Sequence, residues 1–127
     1  MRPLRLTIEA FGSFAGREEV DFESLGELGL FLVTGPTGSG KTTIFDAMVF
    51  ALYGTVPGSR RAEEVHSHHA PLGSVPRVTL EFEAGSGRYR VERTAKHDRP
   101  VRRGEGVTTE QPTAALATWR AEGWHPL

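Results

Sequence analysis

There is no cysteine in these 127 residues, which excludes a disulfide framework and a thiolate metal site and is compatible with a reducing compartment. Excess charge is also missing. Fifteen Lys plus Arg against sixteen Asp plus Glu leave a formal net charge of −1, so the overall balance points to no nucleic-acid partner and any DNA contact must be local. Long hydrophobic runs are absent too. The longest, Ile44 to Tyr53, is broken by Asp46 and falls short of the roughly 18 to 20 residues that a membrane span needs. The opening MRPLRLTIEAFGSF alternates polar with apolar residues and lacks the apolar core of a signal peptide. The chain is therefore expected to start truly at Met1, to contact no membrane and to be soluble and cytoplasmic. Its length allows one domain at most, with one core.

Glycine, by contrast, is abundant at fifteen residues, and its placement organises the chain. Leu4, Leu6 and Ile8 alternate with polar residues as in a strand with one buried face. Glu19 to Phe22 alternates again and should pair with it, both strands being peripheral. Leu28 to Thr34 (LGLFLVT) is a nearly continuous apolar run, as expected of a strand covered on both faces. It leads into Gly35. Beyond the glycine-rich segment, Thr42 to Tyr53 has no internal Gly or Pro and stops at Gly54, with Pro57 just past it, which predicts a helix. Its residues are apolar almost all round, so it needs neighbours on more than one face.

Val78, Leu80 and Phe82 alternate with Thr79, Glu81 and Glu83, and Tyr89 and Val91 alternate with Arg88, Arg90 and Glu92. A two-residue Gly85-Ser86 loop of type II′ sets Phe82 opposite Tyr89 and Leu80 opposite Val91, with Glu83 against Arg88 and Glu81 against Arg90. Residues 96 to 112 are Gly-, Pro- and charge-rich without periodicity and read as a long mobile loop. Thr113 to Trp119 predicts a last strand, with WHPL as its partner. Trp119 and Trp124 read as packing residues, and Phe82 with Tyr89 as a core pair.

Gly35-Pro36-Thr37-Gly38-Ser39-Gly40-Lys41-Thr42 matches G-x-x-x-x-G-K-[ST] in full. Glycines let backbone N–H groups close around a phosphate, and the helix that follows aims its unpaired N–H groups and positive dipole end at the same anion. Lys41 would bridge the terminal phosphates of ATP, the Thr42 hydroxyl would ligate Mg²⁺, and Thr43 continues the cradle. A strand running in and a helix running out are the context that the motif requires. Hydrolysis needs more: an acidic residue at the end of another buried strand and a group to orient water. The only later candidates, Glu81 and Glu83, sit on the solvent side of a hairpin. There is no Asn-Lys-x-Asp segment to read guanine.

The flanks are more distinctive than the loop. MRPLRLTIEAFGSF, VDF, LFLVTGPTGSGKTTIFDAMVFALYG and the VTLEFE/RYRVER hairpin together resemble the SbcC branch of the SMC-like, nuclease-associated ATPases, over nearly the whole chain. The resemblance implies an α/β fold with a mixed sheet: the N-terminal lobe of an ABC/SMC-type ATPase head, with an antiparallel β portion and a central buried helix after the P-loop. On that reading residues 1–127 are an ATP-binding lobe, and the C-terminal lobe and coiled coil lie elsewhere. The resemblance further implies ATP and Mg as cofactors, an SbcD-like nuclease as partner, DNA ends as substrate, dimerisation of two heads, and association with the nucleoid. It places Ser13 and the HSHH segment, His66 included, near the nucleotide. In the family it resembles, eukaryotic and archaeal members tend to carry a basic residue in the segment after the first strand, where this chain has Gly12, so a charged contact is lost there.

Some features have plainer accounts. His66, His68 and His69 lack a further ligand and are a poor metal site. Arg99, Arg102 and Arg103 could touch a DNA backbone, but a solvated loop is the simpler account of them. Two other readings of the whole are a self-contained nucleotide sensor and a fragment of a transporter-type ATPase. The expectation that results is Mg-ATP binding with negligible turnover, and a helix face that stays bare without further cover.

Overall fold

Alternation at the N-terminus and in the hairpin builds a sheet whose two faces differ completely. In a computed structural model the chain is described at residues 1–24, 41–56, 67 and 70–127, with residues 41 and 42 described by backbone alone. Strand β1 (Arg2–Phe11) is antiparallel to β2 (Phe14–Asp21) on one side and to β3 (Arg77–Ala84) on the other. β3 continues to β4 (Gly87–Thr94), then β7 (Thr113–Arg120) and β8 (Gly123–Pro126), giving a six-stranded sheet of order β2-β1-β3-β4-β7-β8. Every pairing among the described residues is antiparallel. The strand expected at 28–34, which would make the sheet mixed, lies outside the described residues.

One face of the sheet carries Leu6, Ile8, Val78, Leu80 and Val91, all buried, and helix α1 (Lys41–Tyr53) lies on it. Ala47, Phe50 and Ala51 are the helix residues buried in the core, with Ile44, Met48 and Leu52 packed partly buried against it, and Phe50 meets Phe11 at 5.4 Å between ring centroids. Small alanines beside one large ring let the helix sit close to the strands. Its opposite side is open: Phe45 is 51% and Tyr53 73% exposed. Gly54 ends the helix at φ +77°, its N–H donating to the Phe50 carbonyl at 2.8 Å. Arg93 on β4 donates from Nε to the Ala51 carbonyl at 2.8 Å, supplying a partner and a positive charge to the helix C-terminus. No helix among the described residues is long and apolar enough to cross a membrane.

The other face is charged. Arg5 pairs with Glu19, Arg77 with Glu9 and Glu92, Arg88 with Glu81 and Arg2 with Glu83. β3 and β4 stand in the register expected from their alternation, Leu80 opposite Val91 and Glu81 opposite Arg90. The ion pairs between β3 and β4, Arg88–Glu81 and Arg77–Glu92, nevertheless run diagonally, while β1 meets β3 directly across at Arg2–Glu83 and Glu9–Arg77. Glu83 turns to Arg2 on β1, which frees Arg88 for Glu81 at 3.2 Å, while the Arg90 guanidinium lies 4.6 Å from the Trp124 ring. Trp119 and Trp124 are cross-strand partners meeting edge to face at 5.2 Å. They pack, but on this arginine-bearing face and with Trp119 still 42% exposed, because the β7–β8 register puts them there and not over the core.

Two connections differ from the sequence reading. β2 begins at Phe14, five residues before the alternation at Glu19, because Phe11 and Phe14 pair across a tight Gly12-Ser13 turn. As an edge strand with Arg17 to Glu19 exposed, β2 shows no clean alternation there. The segment read as a long mobile loop at 96–112 instead contains a hairpin, β5 (His97–Pro100) with β6 (Val107–Glu110). Asp98 accepts from Thr109 at 2.8 Å and Arg99 pairs with Glu110, whose carboxyl is held below its ordinary range by that guanidinium. Four-residue strands are too short to show a period, so only the cross-strand pairs reveal them.

The β7–β8 turn is strained. Ala121 and Glu122 both have positive φ, 49° and 61°, between the paired Arg120 and Gly123. Two-residue loops of this kind favour Asn-Gly. The double exchange Ala121→Asn with Glu122→Gly should stabilise the chain by about 1–2 kcal/mol, read as a rise in the melting midpoint. The β3–β4 turn shows the unstrained solution: only Gly85, at +60°, is positive there, as type II′ requires.

Candidate functional site

Of the residues expected to cradle phosphate, Lys41, Thr42 and Thr43 are described, and they form the first turn of α1. Gly35, Pro36, Thr37, Gly38, Ser39 and Gly40 lie outside the described residues. Lys41 and Thr42 open the helix, which begins with the motif's own lysine. Thr43, the next residue, is 8% exposed and is the first whose side chain is described.

Thr43 is met by the β1–β2 turn. Ser13 Oγ lies 3.0 Å from Thr43 Oγ1, and the Ser13 N–H donates to the same oxygen at 3.4 Å. Gly12 comes closer still. At φ +59° a side chain is already strained, and a Cβ built there would fall 2.6 Å from Thr43 Cγ2 and 3.0 Å from Oγ1. Position 12 therefore has no room for a side chain while Thr43 stays where it is. The structure brings Ser13 and Thr43 together, two of the residues singled out in the sequence.

His66, His68 and His69 lie outside the described residues. Ser67 between them is described: it is 4% exposed and its N–H donates to the Ala10 carbonyl at 2.9 Å. That contact falls at the end of β1 from which the Gly12-Ser13 turn leaves. No cluster of three or more metal-ligating side chains occurs among the described residues. Arg99 is engaged by Glu110, which leaves Arg102 and Arg103, in the β5–β6 connection, as the exposed members of that arginine group. Sequence reasoning missed Arg93 as the partner of the helix C-terminus. Its only sequence signal is an arginine on the buried-face parity of β4, in step with Val91.

What these elements can do chemically is limited and specific. A helix N-terminus offers unpaired N–H groups to an anion. Here the side chain of Thr43, in the first turn, is hydrogen-bonded by the sheet's own turn at Ser13. The two carboxylates weighed from the sequence are remote from that end: Glu81 and Glu83 lie on the opposite face of the sheet, committed to Arg88 and Arg2.

A sheet-dominated lobe with one described helix, opening at Lys41, is consistent with the class of P-loop ATPases. A family model described as "AAA domain" matches residues 5–118, and the chain belongs to that family. Among curated proteins it is 44% identical over 124 residues to the SbcC subunit of the SbcCD nuclease of Vibrio cholerae, covering 97% of this chain and 12% of that protein. It is 42% identical to the proteins of the same name from Lactococcus lactis, over 92% of this chain and 11% of theirs, and Treponema pallidum, over 100% and 12%. The chain therefore spans about an eighth of the length of these relatives.

Proposed function

We propose that the chain is the ATP-binding N-terminal lobe of an SbcC-like ATPase subunit of a nuclease complex that processes DNA double-strand breaks, and that its arrangement is that of an ABC/SMC-type head. The observation that carries the reading is the helix opening at Lys41, the lysine of a complete phosphate-loop motif, with its first turn supported by the Gly12-Ser13 turn. Lys41 would meet the terminal phosphates, the Thr42 hydroxyl would complete the magnesium shell, and Gly35 to Gly40 would supply backbone donors. Bound Mg²⁺ neutralises charge on the triphosphate. The position of Ser67 against the end of β1 supports assigning the His66 segment to the nucleotide's side of the lobe.

Hydrolysis requires an acidic metal-holding group and a water-orienting group, which on this reading come from a second lobe when two ATP-bound heads dimerise. The name shared by the relatives points to an SbcD-like nuclease as partner, with DNA ends as substrate of the assembled complex in the cytoplasm, at the nucleoid. The test is calorimetric titration of the chain with ATP in the presence and absence of Mg²⁺. Saturable, magnesium-dependent binding with negligible phosphate release is expected; steady hydrolysis by the chain alone, abolished by Lys41→Ala, would overturn the assignment of catalysis to another lobe.

A further inference from the structure

We infer that Ser13 is a positioning residue for phosphate binding, acting through Thr43 and not by touching the ligand. The inference rests on the nucleotide reading above. Ser13 and Thr43 are 30 residues apart in sequence, on a turn of the sheet and on the helix. Thr43 Oγ1 has two lone pairs and one proton. The Ser13 N–H occupies one lone pair at 3.4 Å, and the two hydroxyls share a further bond at 3.0 Å. Whichever hydroxyl donates in that shared bond, one hydroxyl proton of the pair remains to be donated elsewhere.

The geometry behind this is imposed by Gly12. Its φ of +59° folds the turn down onto the helix, and the lack of a Cβ allows the approach to Thr43 Cγ2. Thr43 is thereby held on two sides, by hydrogen bonds from Ser13 and by van der Waals contact from Gly12. Lys41 and Thr42 immediately precede it on the same helical turn, so fixing Thr43 fixes where their backbone begins. The ordering of that turn, which binding would otherwise require, is made in advance by the sheet.

The test uses the 127-residue chain and two readouts, Mg-ATP affinity and the melting midpoint without nucleotide. Ser13→Ala should raise the Kd about three- to tenfold, the cost of ordering the first turn on binding, while the nucleotide-free midpoint falls by about 3–6 °C, the loss of one hydrogen bond. Ser13→Thr, which returns the hydroxyl, should bring the Kd back to within about twofold of wild type. Independently of any nucleotide, Gly12→Ala should lower the midpoint less in a Thr43→Ser background, where Cγ2 is gone, than in the wild type. Unchanged affinity in Ser13→Ala, or loss that Ser13→Thr fails to restore, overturns the positioning role. Equal effects of Gly12→Ala in both backgrounds overturn the contact. A wild-type chain that binds no nucleotide overturns the function proposed above and the positioning role with it, a result told apart from the others by the Gly12/Thr43 melting comparison, which still reports whether the turn seats on the helix.

Discussion

Lys41→Ala is expected to weaken Mg-ATP binding by roughly a hundredfold, about 3 kcal/mol, the upper range for hydrogen bonds to a charged group. The motif's chemistry sets this size. An ammonium on a flexible stem, carried by the first residue of α1, is a compact donor for the crowded oxygens of a triphosphate, and no other residue of the motif carries positive charge. Lys41→Arg should not rescue, since the planar guanidinium is larger and addresses oxygens in a fixed fork. The nucleotide-free melting midpoint should be little changed in both, because position 41 is the first residue of the helix, where a side chain contributes least to packing. Titration with a fluorescent ATP analogue reads the first quantity and circular dichroism at the helix band the second. Wild-type affinity in Lys41→Ala would remove the phosphate loop from the function.

The second large effect is on stability. Phe50 is 2% exposed and packs against Phe11, in the layer where α1 meets β1, β3 and β4. Phe50→Ala removes most of the one large helix side chain that is buried in the core, and should cost about 3–5 kcal/mol. Against a total of about 5–15 kcal/mol for a domain, that is a fifth or more of the whole. The midpoint should fall by roughly 10–20 °C. Phe45→Ala is the control on the same helix. Its ring is 51% exposed, and its loss should shift stability by under about 1 kcal/mol. Equal losses from the two would mean that the bare side of α1 is covered in solution.

Legibility in the sequence followed the range of the interactions. The β3–β4 register could be read because apolar partners and opposite charges both depend on the same alignment, and the pairs Phe82–Tyr89 and Leu80–Val91 stand as the alternation requires. The helix was legible from its unbroken apolar stretch and its stop at Gly54, whose φ of +77° explains the glycine. The phosphate-loop motif was legible as chemistry, and its family context agrees with the match over residues 5–118. The β5–β6 hairpin was not legible, since HDRP and VTTE are four residues each and one holds a proline. Nor was the Ser13–Thr43 contact. Nothing in a one-dimensional pattern marks two hydroxyls 30 residues apart as neighbours, and Gly12 reads as an ordinary turn glycine until the helix is laid against it. The diagonal ion pairs were lost for the opposite reason: local pairing rules name the partner directly across, while long side chains choose among several.

Arg93 gives the helix a second fastening. Its guanidinium holds the Ala51 carbonyl near the C-terminal end of α1, while the Gly12-Ser13 turn holds Thr43 near the N-terminal end. Both anchors belong to the same sheet. The helix is thus tied to β4 near its last turn and to the β1–β2 turn near its first, so detaching it from the sheet requires both ties to be broken.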